Sequence, residues 1–138
     1  MRDKVFVDSD ICLDLLQERT PFFKDAIRLF NRTQTGEVDL YISATIFANL
    51  HYLIRKGQSL AEVRKILGRL RLLVKILPVD EKVIDLSLHS DFTDFEDAIQ
   101  YYTAIENGIR VIVTRNLKDY KHAQIPVMTP QAYLKATI

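Results

Sequence analysis

The sequence predicts an α/β fold: a parallel sheet of four to five strands covered by helices on both faces. Three observations carry this expectation. Short apolar runs, rich in β-branched residues, recur at 4–7, 40–42, 74–77, 110–113 and 126–128. Longer segments between them repeat their apolar residues with a helical period. Capping residues, Pro and Gly punctuate the junctions, and nothing reads as a linker or an internal repeat. At 138 residues the chain suits one domain, taken as 1–138, and is long enough to bury a core.

The elements follow in order. Val5-Phe6-Val7 makes a first strand that stops at Asp8 and Asp10. A helix over about 10–18 then presents Ile11, Cys12, Leu15 and Leu16 on one face. Thr20 is placed as the cap of a second helix, with Pro21 at its first position and Phe22, Phe23, Ala26, Ile27 and Phe30 along it. It runs to about Thr35 and Gly36 ends it. Leu40–Ile42 is the second strand, and Ser43 opens a helix to about Lys56, stopped by Gly57. Ser59 and Glu62 form a capping box for a helix carrying Val63, Ile66, Leu67, Leu70 and Leu73. Val74–Leu77 is a third strand closed by Pro78, after which Asp80 caps a helix through about Leu88. Thr93 and Glu96 read as another capping box, for a helix reaching Asn107-Gly108. Arg110–Val113 is the fourth strand, Pro126–Met128 a short fifth, and Thr129-Pro130 opens the last helix.

Composition narrows the function classes. With 48% hydrophobic and 27% charged residues the chain is ordinary for a globular protein. No apolar stretch approaches the roughly 20 residues of a membrane span, and the N-terminus does not read as a signal peptide. A lone Cys12, expected to pack as a small apolar residue, points to a reducing cytoplasm. His51, His89 and His122 lack zinc-ligand spacing, and there is neither a Gly-rich phosphate loop nor a G-x-S-x-G elbow. A net charge of +1 gives no global nucleic-acid footprint. Its distribution says more: a basic block holding Arg55, Lys56, Arg64, Lys65, Arg69, Arg71 and Lys75 precedes an acidic block from Asp80 to Asp97. The first suits either a solvated helix surface or a phosphate-tracking one.

The carboxylates hold the chemistry. In open parallel sheets ligands bind beyond the carboxyl ends of the strands. Asp8 and Asp10 stand at such an end, with Asp14 one turn further on, and Thr114–Asp119 follows the fourth strand directly. Two carboxylates about 4 Å apart repel by roughly 4 kcal/mol at an effective dielectric near 20, so a buried cluster calls for a cation. Hard divalent ions take oxygen ligands, activate water and stabilise the leaving oxygen of a phosphodiester. That chemistry suits Asp8, Asp97 and Asp119. Each acid also has a plain alternative: Asp8 or Asp10 as a helix cap, Asp94, Glu96 and Asp97 as first-turn acids, Asp119 as a loop residue.

The order of motifs resembles a PIN domain, the metal-dependent ribonuclease fold of VapC-type toxins. The resemblance rests on VFVDSD with ICLDLL, LYISATIFANLHYLIRK, DFEDAIQYYTAIENG, VIVTRNLKDY and the closing VMTPQAYL, which nearly span the chain. It implies a PIN-like three-layer α/β/α domain with an acidic quartet at the carboxyl edge of the sheet. Asp8 matches the first acid and Asp97 the one before an Ala-Ile pair, while Asn116 and Asp119 both match ligand-bearing positions in the last motif. Ser9 and Thr114 match the supporting hydroxyl residues. Asn49 stands where the family has a Glu. Asp10, where the family often has Asn, and Asp94 are nearby acids expected to make up the charge.

The resemblance further implies one or two Mg²⁺ or Mn²⁺ ions, RNA as substrate, a homodimer and an antitoxin partner. Arg55, Lys56, Arg64, Lys65, Arg69, Arg71 and Arg115 are the candidate RNA contacts. Two rival readings stay open. Asn49 suits a PIN fold that binds RNA or protein without cleaving, and Asp8-Ser9-Asp10 suits the nucleophile motif of a haloacid-dehalogenase-type phosphatase.

Overall fold

The computed structural model describes residues 2–137. Its five strands are β1 (Asp3–Val7), β2 (Val38–Ser43), β3 (Val74–Leu77), β4 (Val111–Val113) and β5 (Val127–Met128). They form one sheet in the order β3-β2-β1-β4-β5, every neighbouring pair parallel. Seven helices connect and flank it: α1 (Ser9–Leu16), α2 (Phe23–Asn31), α3 (Ala44–Leu53), α4 (Leu60–Leu73), α5 (Glu81–Leu88), α6 (Phe95–Glu106) and α7 (Pro130–Ala136). A single 3-10 turn occupies Leu117–Tyr120.

The topology decides where a ligand can bind. From β1 the chain steps outward through β2 to β3, then returns to the far side of β1 for β4 and β5. Right-handed crossovers put α1–α4 on one face and α5–α6 on the other. The reversal falls between β1 and β4, so a crevice opens beyond their carboxyl ends. Val7 pairs with Val113, and the Asp8 N–H donates to the Val113 carbonyl at 3.0 Å. Asp8 and Thr114 therefore leave the sheet side by side.

The core is what the apolar runs foretold. Val5, Phe6, Val7, Leu40, Ile42, Ile112 and Val113 are buried in the sheet, with Ile11, Phe30, Leu50, Val63 and Leu70 packed over it from the helices. Cys12 is wholly buried, and burial pushes its thiol pKa up, which suits a packing residue and not a nucleophile. Ser43, Ser59, Asp80 and Thr129 each accept a helix N–H from their own first turn, as expected. Among the described residues no helix is long and apolar enough to cross a membrane.

Two local expectations are corrected. The second helix opens at Phe23, not at Pro21, and ends at Asn31. The Arg19 carbonyl accepts the Phe23 N–H at 2.7 Å, so a backbone turn takes over the role expected of Thr20. Ala26, Leu29 and Phe30 are its buried residues, whereas Phe22 and Ile27 remain partly exposed. The cap of α6 is Asp94, one residue later than Thr93, because its carboxylate accepts the Asp97 N–H at 3.0 Å. Asp97, not Glu96, thereby occupies the third helical position.

Candidate active site

Asp8 ends β1 and caps α1, a position where its carboxylate is 4% exposed yet held by three donors. One oxygen accepts the Ser9 N–H at 2.8 Å. The other accepts from the Thr114 hydroxyl at 3.0 Å and the Tyr120 hydroxyl at 3.1 Å. Burial, reinforced by the Asp10 charge, pushes its pKa up to about 6 despite these donors. Three bonds leave the Ser9-bonded oxygen with a lone pair still open.

Asp10 lies one position beyond Ser9 and is half-buried. It accepts the Arg115 N–H at 2.9 Å and comes within 3.3 Å of the Thr114 hydroxyl. Burial raises its pKa. Thr114 thus stands between two carboxylates with one proton to give, while its oxygen accepts the Asn116 N–H at 3.1 Å. Asp14, on the same face of α1 as Asp10, is 1% exposed and receives a two-bond fork from the Arg115 guanidinium, at 2.7 and 3.0 Å.

Across the crevice, α6 brings Asp97 toward this group. Burial pushes its pKa up to about 7, followed by the charges of Asp8, Asp94, Asp119 and Glu96. Asp97 ends higher than the more deeply buried Asp8 because Asp8 has three hydrogen-bond donors to offset its burial. Every leading influence on Asp97 is burial or another carboxylate.

The sequence-derived site is thus partly assembled. Asp8, Asp10 and Thr114 meet at the ends of β1 and β4, and Asp97 is near enough to Asp8 and Asp119 for their charges to raise its pKa. Asp94 acts as a cap and adds its charge from behind Asp97. Asn116 and Asp119 are exposed on the 3-10 turn and the residue before it, and Asn49 is exposed on α3. The basic residues are not gathered here. Arg69 and Arg71 line a concavity with Arg2, Asp39 and Lys75 beside the amino end of β2, the opposite edge of the sheet. Arg55, Lys56, Arg64 and Lys65 are solvent-exposed at the end of α3 and on α4. Arg115, expected as an RNA contact, has its guanidinium committed to Asp14 and stacked on Phe22, 3.7 Å from the ring centroid.

Three contributors escaped the sequence reading. Tyr120 directly follows Asp119, but nothing in its local sequence signals the hydroxyl bond to Asp8. Gln100 lies one turn after Asp97 on α6, and it joins Ser43 at 2.5 Å and Thr45 at 3.2 Å. That buried network ties α6 to the end of β2. Asp14 was noticed as a charge, but its partner lies 101 residues away.

The donors fit a hard divalent cation in kind: carboxylate, amide and hydroxyl oxygens, with no thiolate or imidazole among them. Asp8, Asp97 and Asp119 would be its charged holders. Among the described residues, no three His, Cys, Asp or Glu side chains already converge as a complete ligand set. A Mg²⁺-like ion that keeps several waters needs only one or two carboxylates directly.

Comparison with known proteins agrees with this architecture. A family model described as PIN domain matches residues 4–118. The chain is similar to ribonuclease VapC1 of Aquifex aeolicus (strain VF5), 26% identical over 135 residues, covering 95% of this chain and 93% of that protein. A DNA-bound VapBC structure from Salmonella typhimurium superposes with a TM-score of 0.70 at 15% identity, over 93% of this chain and 98% of that one. A toxin–antitoxin complex from Klebsiella pneumoniae gives 0.68 at 22% identity, over 91% and 97%. The Mycobacterium tuberculosis toxin VapC20, described as cleaving the sarcin–ricin loop, gives 0.62 at 17% identity, over 78% and 86%. The switch-point crevice, its acidic edge and the match over most of the sequence lead to one conclusion: this chain belongs to the PIN-domain family.

Proposed function

We propose that the protein is an endoribonuclease that hydrolyses RNA phosphodiesters with one or two Mg²⁺ or Mn²⁺ ions. One observation carries this reading: the buried Asp8 and the half-buried Asp10 converge on Thr114 at the switch point, and the charges of Asp8, Asp94, Asp119 and Glu96 all act to raise the Asp97 pKa. The Arg115 guanidinium at this edge is already paired with Asp14. Charge of that kind, left over after the protein's own pairing, is what a hard cation would answer.

Asp8, Asp97 and Asp119 would hold the ion, with Asn116, Asp10, Asp94 and Asn49 in support, directly or through water. When bound, such an ion makes a water more acidic and offsets negative charge developing on the phosphodiester oxygens. The chain's own residues set the stage. Ser9, Thr114 and Tyr120 fix the orientation of Asp8. Among the described residues Asp97 has no such donors, so its charge is left for the ion to offset. Gln100, Ser43 and Thr45 anchor α6 beneath it.

Cleavage of single-stranded RNA with Mn²⁺ by wild type, Asp8→Asn and Asn49→Glu tests the reading. Wild type should cleave, Asp8→Asn should lose most activity, and Asn49→Glu should gain. An Asp8→Asn protein that cleaves as well as wild type overturns the assignment. The exposed Asn49 supports one rival, a PIN fold that binds RNA or protein without cleaving. RNA binding by a wild type that neither cleaves nor binds Mn²⁺ would favour it.

The names of the relatives support a biological role as the toxin of a toxin–antitoxin pair, blocked by its antitoxin, and the family resemblance adds a homodimer. Co-expression with the product of the neighbouring reading frame should yield a stable complex. A monomeric mass in solution with no co-purifying partner counts against that role.

A further inference from the structure

Arg115 is held by three other residues at the acidic edge. Its backbone N–H donates to Asp10, its guanidinium forks onto the buried Asp14, and the plane of that group lies on Phe22. Asp10 and Asp14 are one helical turn apart on α1, so both anchors come from one rigid face. On either side of Arg115 in sequence stand Thr114, which donates to Asp8, and Asn116, which opens the turn bearing Asp119 and Tyr120.

We propose that Arg115, clamped by Asp14 and Phe22, is a positioning residue for the nuclease site. It fixes how the chain leaves β4, and through that the placement of Asp119 and Asn116 against Asp8 and Asp97. The inference rests on the nuclease reading above. Net stability is a weak explanation for the pair, because apolar side chains of similar volume often serve a buried ion pair's place equally well. What a planar fork adds is direction: two parallel hydrogen bonds hold the guanidinium in one plane, and Phe22 closes that plane from below. Contact with RNA is a poor alternative for a group already paired on both counts.

The pair can be removed without stranding a buried charge. The double variant Asp14→Leu/Arg115→Met should fold with a melting temperature close to wild type. Its kcat on single-stranded RNA should fall on the order of 100-fold, the scale expected of a misplacement of about 1 Å. KM should change less than about twofold, because no substrate contact is lost. Mn²⁺ affinity, read by calorimetric titration in the absence of RNA, should weaken several-fold. Arg115→Lys keeps the charge but not the fork; it should lose kcat similarly, and it carries the test if the double variant fails to fold.

Wild-type kcat and Mn²⁺ affinity in the variants, beside an active wild type, overturn the clamp and leave the nuclease reading standing. A raised KM with kcat held, and a shallower salt dependence, assign Arg115 to RNA binding and overturn it too. A wild type that neither cleaves nor binds Mn²⁺ overturns the nuclease reading and the clamp with it.

Discussion

Replacing Asp8 with Asn should make the metal-free protein more stable at neutral pH while removing the group proposed to hold the cation. Asp8 titrates at about 6 when folded, against an ordinary value of 3.8, chiefly because it is buried. The sign follows from linkage. With the folded value raised, the stabilisation is complete below the unfolded value and is lost as pH rises through about 6. Ionising Asp8 at pH 7.5 therefore costs about 3 kcal/mol of folding free energy, from roughly 2 pH units at 1.36 kcal/mol each. Asn is a close match in shape to the protonated acid and escapes that cost. Ser9 N–H still finds an amide oxygen, and the Thr114 and Tyr120 hydroxyls can turn to accept from the new NH₂. Allowing for weaker bonds, a net gain of about 1–3 kcal/mol is expected at pH 7.5. At this chain length each kcal/mol moves the midpoint by about 3–5 °C. Thermal melts in chelator at pH 5, 6 and 7.5 should show Asp8→Asn above wild type at pH 7.5, with that advantage smaller by roughly 1.4 kcal/mol at pH 5, since the cost vanishes only below the unfolded value of 3.8. Saturating Mn²⁺ should then raise wild type and leave the variant unmoved. A variant less stable than wild type at pH 7.5, or a difference that ignores pH, refutes the reasoning.

Other expectations follow from the same geometry. Mn²⁺ at about 100 times its dissociation constant should stabilise wild type by about 2.7 kcal/mol. That shift should be larger at pH 7.5 than at pH 5.5, because protons compete for Asp8 at about 6 and Asp97 at about 7. Tyr120→Phe removes a donor to the ionised Asp8, so it should raise the Asp8 pKa and move the acidic limb of the pH–rate profile upward. Arg115→Ala alone strands the buried Asp14 and should cost about 3–5 kcal/mol in denaturant titrations. Ser59→Ala should cost about 1 kcal/mol by removing the α4 cap, with cleavage unchanged.

Local chemistry made most of the fold legible. A Ser, Asp or Thr capping a helix acts over three residues, so Ser43, Ser59, Asp80 and Thr129 could be placed from their immediate neighbours. The two slips arose where a second local solution competed. Asp94 outbid Thr93 as a cap, and a backbone turn from Arg19 displaced Thr20. In the site, strand ends identified Asp8 and Thr114, and helix phase pointed to Asp97. What could not be read was pairing between distant segments. Asp14 and Arg115 are separated by 101 residues, and only the return of β4 beside β1 brings them together. For the same reason a run of positive charge on α4 did not reveal that Arg69 and Arg71 border the amino edge of the sheet. Spacing along a helix cannot say which end of a sheet it flanks.

The strand order has a consequence for synthesis. β1 is made first but sits in the middle, and its second neighbour, β4, follows more than a hundred residues later. Until then one side of an apolar strand stays unpaired, the kind of edge that recruits other strands. Asp8 waits just as long for Thr114, Asp119 and Tyr120, all of which follow β4 in the chain. A chain that stops before β4 therefore holds Asp8 and Asp97 but lacks Asp119, one of the three carboxylates proposed to hold the cation, and it exposes the open side of β1. Truncation before β4 should give an inert, aggregation-prone fragment, and full-length completion arms the site and covers the edge in the same step.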